Sequence, residues 1–254
     1  RGINVIALWS AGAGNGFTSN KWATFKQWRD KGASVNKGSK GTKIVFWKQL
    51  QVEDKYAKTE DKTKLIPMAR TFTVFNADQV TGYDDQPEPV EDTGEGVDIL
   101  DHIEDIISET GADIIHDGSG ACYIPKIDQI RMPKRESFKA TGESTATENY
   151  YSTLFHEVAH WTGAEHRLDR TKGMKFGDPE YAFEELVAEL SAAFTCASTG
   201  LTSEPRKDHA QYIASWIKAL KSDSRFIFDA AKHATKATQW ITEPESRPEV
   251  KATG

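Results

Sequence analysis

Residues 156–166 read HEVAHWTGAEH. Two histidines four apart stand on one face of a helix, so His156 and His160 can reach one tetrahedral zinc ion, with Glu157 between them as general base toward water activated by the metal. The same stretch holds His166, which completes HExxHxxGxxH if the chain turns at Gly163 and swings back. That three-histidine arrangement also needs a Met-containing turn, and the only downstream methionine is Met174, eight residues on. A second closing ligand lies in EYAFEELVAELSAAFTCASTG, residues 180–200. On a helical wheel Glu185, Glu189, Ala192 and Cys196 share a face flanked by Ala182 and Ala188, while Phe183, Leu186, Val187, Leu190 and Phe194 occupy the other. This segment has no Lys or Arg. An Ala-rich face without basic residues suits close helix packing, and two carboxylates buried there need a cation. Glu185 as ligand and Glu189 bracing a ligand histidine satisfy both. The residues favour Glu185 and leave His166 open.

These side chains need a frame. On the helix expected over residues 148–163, Asn149, Ser152, Thr153, His156, His160 and Gly163 fall on one side, and Tyr151, Leu154, Val158 and Trp161 on the other. The histidines thus sit on a strip of small and polar residues opposite an apolar side that must be buried. Residues 113–133, DIIHDGSGACYIPKIDQIRMP, read as a small sheet over the site. Tyr123 and His116 are candidates for stabilising an oxyanion. VDILDHIEDIISETG reads as a helix before that sheet, and residues 205–241 read as two supporting helices with Trp216, Ile217 and Leu220 on a core face.

The first third of the chain has a different chemistry. Residues 1–83 carry 14 Lys and Arg against 6 Asp and Glu, a balance of +8, so the remainder carries −14 of the net −6. A split of this kind predicts two units with different partners. Four of the seven tryptophans, Trp9, Trp22, Trp28 and Trp47, fall in the basic part. Basic residues draw in a phosphate backbone and aromatic faces stack unpaired bases, so the mixture points to single strands. The competing reading makes Trp22, Phe25 and Trp28 the core stripe of a small domain. Locally, residues 4–12 read as a short helix, and 19–32 as a second one capped by Ser19 or Asn20. SVNKGSKGTKIVFWK (34–48) reads as a hairpin around its Lys-Gly turn, and TFTVFN as a strand. Gly38 and Gly41 either let the backbone approach phosphate or merely permit the turn.

A chain of 254 residues with 38% hydrophobic and 28% charged residues predicts two folded domains. The expected class is α+β: a small mixed α/β basic unit over 1–83, a linker over 84–97 and, over 98–254, a mainly helical unit with a small sheet around the HExxH helix. The linker is acidic and rich in Pro and Gly. No apolar run is long enough to span a bilayer, which excludes a membrane partner at this level. Cys122 and Cys196 form no metal or disulfide spacing and suit a reducing cytoplasm. The opening RGINVIALW has neither an initiator Met nor a signal-peptide pattern and reads as a trimmed start.

RGINVIALW, KWATFKQ, VNKGSKGTKIVFWK and TFTVFN resemble the N-terminal single-stranded-DNA-binding domain of ArdC-type antirestriction proteins, also found in conjugative primases. YYSTLFHEVAHWTG, the Arg-Leu at 167–168 and FGDPEYAFEELVAELSAAF resemble the zincin-like metallopeptidase domain that follows it. The resemblance implies a protein of conjugative plasmids that protects incoming DNA from host restriction, with part of its DNA-binding domain preceding Arg1. It implies Zn2+ or another divalent transition metal held by His156, His160 and Glu185, because the Glu of EELVAE recurs in the family where His166 does not. Candidate DNA contacts are Arg1, Asn4, Lys21, Trp22, Lys26, Arg29, Lys37, Lys40, Lys43 and Trp47. The protein substrate would belong to the restriction machinery. Two rival readings are a purely DNA-coating protein with a structural or vestigial metal site and a primase-related DNA-processing protein.

Overall fold

The computed structural model describes residues 3–19, 21–53, 63–83, 96–141, 144–170, 179–201 and 225–247. The chain divides into two compact units, Asn4–Glu88 and Pro89–Gly254. The α+β expectation holds, with small sheets in both units and the long helices in the second.

The first unit begins with helix α1 (Ile3–Asn15), followed by strand β1 (Trp22–Thr24) and helix α2 (Phe25–Asp30). The helix expected over 19–32 therefore starts later than its aromatic spacing suggests. Trp22, Ala23 and Thr24 pair instead with Asn76, Phe75 and Val74. Thr24, not Ser19 or Asn20, caps α2: its hydroxyl accepts the Gln27 N–H, and the Gln27 side chain accepts the Thr24 N–H at 2.9 Å. Trp28 is the core residue of the stripe, 2% exposed, and its indole donates to the Phe75 carbonyl at 2.9 Å.

The expected hairpin over 34–48 does not form. β2 (Ser34–Val35) pairs with β5 (Val80–Thr81), while β3 (Thr42–Glu53) pairs antiparallel with β4 (Thr63–Asn76) from Thr42↔Val74 to Glu53↔Thr63. The turn between the two runs is real but joins strands of different sheets. Its glycines serve the fold: Gly38 has φ +89°, and a Cβ on Gly41 would lie 2.9 Å from the Val74 carbonyl oxygen. The larger sheet runs β1-β4-β3, leaving β3 at an edge. Asn4 covers part of that edge, donating to the Val45 carbonyl at 2.7 Å and accepting the Val45 N–H at 2.9 Å as a neighbouring strand would.

In the second unit α3 (Asp101–Thr110) leads into β6 (Asp113–Ile115), β7 (Cys122–Ile124) and β8 (Gln129–Arg131). These form a sheet in the order β6-β8-β7, with β6 parallel and β7 antiparallel to β8. Then follow α4 (Ala146–Thr162), α5 (Pro179–Thr199) and α6 (Arg225–Thr242). A capping box between Thr145 and Glu148 starts α4. Its Tyr151, Leu154, Phe155, Val158 and Trp161 enter a core shared with Ile130 of β8, Met132 just after it, and Ile103, Ala192, Cys196, Trp240 and Ile241 from the other helices. The Ala-rich face of α5 is buried as expected, with Ala188 and Ala192 both 0% exposed. Its buried Ser191 and Thr195 bond within the helix, Ser191 on the Val187 carbonyl and Thr195 on that of Ser191. Residues 84–95 of the expected 84–97 linker, Met174 and the expected helix with Trp216, Ile217 and Leu220 lie outside the described residues.

Candidate metal centre

Helices α4 and α5 bring His156, His160 and Glu185 together, and these are the one metal-competent group of three among the described residues. The two Nε2 atoms lie 3.1 Å apart. They face the two Glu185 oxygens at 3.6 Å from His156 and 3.5 Å from His160. Ligands bound at about 2.0–2.1 Å in a tetrahedron stand roughly 3.3–3.4 Å from one another, so this donor set fits one divalent ion. Each imidazole turns its Nδ1 to a different carboxylate, His156 to Glu189 at 3.4 Å and His160 to Glu184 at 3.5 Å. That fixes which nitrogen faces the shared point.

The electrostatics also ask for a cation. Burial opposes charge on His160, yet hydrogen bonds and charge from Glu184 and Glu185 outweigh it and raise its pKa to about 10. Burial likewise pushes the Glu185 carboxyl up, but His156, His160 and Tyr181 hold it well below the usual carboxylate range.

Glu157 is 8% exposed, and one of its oxygens accepts the backbone N–H of Tyr123 at 2.8 Å. Strand β7 is an edge of its sheet, so a donor that the ladder leaves unused fixes the carboxylate within the cleft. Glu157, both histidines, Glu184, Glu185, Cys122, Tyr123 and Tyr181 line one cleft of about 590 Å³.

Other expected site residues are placed differently. His166 does not join the ligands: its side chain is 60% exposed and its Nε2 lies 3.3 Å from Asp128. The cause is Gly163, which stays in the right-handed helical region at φ −76°, ψ −10° and so does not reverse the chain toward the metal. His116 is not in the cleft lining. It stacks on Tyr150 and shares a 2.8 Å hydrogen bond with the Tyr150 hydroxyl, and burial and then the Arg135 charge keep its pKa below 6.5. Tyr123 lines the cleft, but its hydroxyl donates to Asp128 at 2.8 Å and accepts from Arg167. Burial and the Asp128 bond push that phenol up to about 12.

Three residues of the site escaped the sequence reading. Glu184 is buried against Arg170, which donates to it at 2.9 and 3.1 Å and also to the Ala159 carbonyl at 2.7 Å. Tyr181 sits one turn before Glu185 and hydrogen-bonds to it; burial, that bond and the nearby carboxylates raise its phenol to about 12. The signals were present: Tyr181 is four residues before Glu185, and a double glutamate on a helix without cations implies a partner for each.

In the first unit Lys21, Lys26, Arg29, Lys37, Lys40 and Lys43 are all exposed. Trp22 is half-buried, edge-on to Phe17 with ring centroids 5.8 Å apart. The Asn4 amide is committed to Val45. Arg1 and the Trp47 side chain lie outside the described residues.

Comparison with known proteins gives this geometry a family. The zincin-like metallopeptidase pattern matches residues 101–233, and the N-terminal domain of anti-restriction factor ArdC matches residues 1–75. The crystal structure of the antirestriction ArdC protein from R388 plasmid, metal-free, is 38% identical with a TM-score of 0.66, covering 97% of this chain and 85% of that one. Its Mn(II)-bound structure is 37% identical with the same TM-score, covering 96% and 84%. The y4eC protein of Sinorhizobium fredii strain NGR234 is 39% identical over 97% of this chain and 78% of its own length. Two Escherichia coli DNA primases TraC are each 34% identical, but this chain spans only 17% and 23% of their lengths. The two matched domains in this order, over an HExxH helix braced by a carboxylate-bearing partner helix, place the chain in the ArdC antirestriction family with a zincin-like metallopeptidase domain.

Proposed function

We propose that the chain binds single-stranded DNA through its N-terminal unit and hydrolyses a peptide bond in its C-terminal unit, protecting incoming plasmid DNA from restriction in the cytoplasm of a recipient cell. The observation that carries the enzymatic half is the meeting of His156, His160 and Glu185 donor atoms in one cleft with Glu157. A divalent ion there, zinc by its donor set of two nitrogens and a carboxylate, would polarise the substrate carbonyl and acidify water. Glu157, steered by the Tyr123 N–H, takes the proton of the attacking water and returns it to the leaving amine. Glu189 and Glu184 hold the two imidazoles in the tautomer that presents Nε2. Tyr181, protonated at neutral pH and hydrogen-bonded to Glu185, would reach a developing oxyanion by turning its hydroxyl away from that carboxylate, the role for which Tyr123 or His116 was expected. An extended peptide would lie along the edge of β7, beside the Tyr123 N–H that Glu157 already occupies, and a component of the restriction machinery is the proposed source of that peptide.

The DNA-binding half rests on the exposed basic residues Lys21, Lys26, Arg29, Lys37, Lys40 and Lys43. The Mn(II)-bound relative supports a divalent ion at the centre. The test is Glu157→Gln, assayed for bound metal, for cleavage of a host extract with and without chelator, and for protection of transferred DNA. Retained metal with lost cleavage and lost protection is the expected result. Full protection by a metal-loaded Glu157→Gln protein would remove hydrolysis from the function and leave coating of the DNA.

A further inference from the structure

The long ribbon of β3 and β4 shows an aromatic face that the candidate DNA contacts above do not include. Side chains alternate across a strand, and the register Ile44↔Phe72 and Phe46↔Arg70 puts Ile44, Phe46, Phe72, Arg70 and Met68 on one side. Phe46 is 52% and Phe72 40% exposed, and their rings meet edge-to-face at 6.3 Å between centroids. Arg70, directly across from Phe46, is exposed as well. Neither residues 32–52 nor 62–77 contain an Asp or Glu. An apolar protein interface would have no need of such one-signed charge, whereas a nucleic acid strand matches both features: phosphates meet the cations and bases meet the rings.

From this we infer that Phe46 and Phe72 form a stacking platform for unpaired bases, with Arg70 beside it for the phosphate between them. The inference rests on the DNA-binding reading above and adds the surface that makes it selective for single strands. Duplex DNA keeps its base faces stacked on one another, so it can use Arg70 and the lysines but not the rings. Stacking on a ring is tolerant of base identity, so the platform adds preference for unpaired bases and not for their order.

Fluorescence polarisation with oligothymidine, an abasic strand of equal length and a duplex tests this. The proteins compared are the full chain, Phe46→Leu/Phe72→Leu, Phe46→Tyr/Phe72→Tyr and Lys37→Glu/Lys40→Glu. The leucine pair keeps apolar bulk on an exposed surface, and an unchanged melting curve will show that it folds. Loss of stacking should weaken oligothymidine binding on the order of tenfold to a hundredfold. It should leave abasic and duplex binding as in the parent, and the tyrosine pair should restore the affinity. The lysine reversals should weaken all three probes together. Parent-like oligothymidine binding by the leucine pair, with the lysine reversals still weakened, would overturn the platform and leave the DNA-binding reading standing. No binding of any probe by the parent would overturn both. A parent that sediments as a dimer, with a monomeric leucine pair and unchanged DNA binding, would assign the face to a second copy of the chain and also overturn the platform.

Discussion

The two units handle charge in opposite ways. In the first, Lys21, Lys26, Arg29, Lys37, Lys40, Lys43 and Arg70 stand exposed in water. In the second, Arg170 and Glu184 keep only 3% and 4% of their side chains accessible, and the candidate ligands lie in the same buried network. Exposed cations act at a distance, additively, and fade with salt. Buried charges act through geometry: each needs its partner, and removing one strands the other. A strand of variable sequence is suited by the first arrangement, and a metal held in one fixed position by the second.

The sharpest way to break this comparison is Glu184→Ala. It leaves the Arg170 guanidinium buried without its carboxylate and should cost about 3–5 kcal/mol, read as a shift in the denaturant midpoint. Lys37→Ala should stay within about 0.5 kcal/mol. Equal costs would mean that the buried pair is no more coupled than the surface. Salt separates the units next. The logarithm of DNA affinity should fall linearly with that of salt concentration, and Lys37→Ala/Lys40→Ala should reduce the slope by about 1.4 if both residues contact phosphate. Metal content should not change over the same range. At a smaller scale, Thr24→Ala removes the cap of α2 and should cost about 1 kcal/mol by thermal melting, without touching metal binding.

The smallest effect concerns acid. Burial opposes ionisation of Asp128, but hydrogen bonds from Arg167 and Tyr123 and the Arg167 charge win and hold its pKa below 3.8. A carboxyl with a folded value below its unfolded one stabilises the fold above the unfolded pKa, and that contribution disappears as pH falls through the folded value. Asp128→Asn should therefore flatten the loss of stability below about pH 4 and lower stability near neutrality. Identical acid profiles for the two proteins would contradict this pairing.

The metal centre was more legible in the sequence than the first unit, and the reason is periodicity. His156, Glu157, His160, Glu185 and Glu189 each lie on a regular helix, so spacing alone sets which face they share. Glu184 sits at the border of the two faces of α5, and its partner Arg170 comes from outside either helix, so only tertiary structure joins them. In the first unit, local signals competed with distant pairing. The Lys-Gly turn after Val35 reads as a hairpin, yet Ser34 and Val35 find their partners at Thr81 and Val80. The spacing of Trp22, Phe25 and Trp28 suits a helix, yet Thr24 is a better cap than Ser19, and the residues before it are free to join β4. His166 had the right spacing for a ligand but lacked the chain reversal at Gly163 that would have delivered it.

The closing ligand is the point on which the second unit turns. Elemental analysis of metal per chain, after loading and dialysis, should be made on the parent, Glu185→Ala and His166→Ala. One metal per chain is predicted for the parent and for His166→Ala, with near-complete loss in Glu185→Ala. Metal retained by Glu185→Ala and lost from His166→Ala would contradict a centre built between α4 and α5.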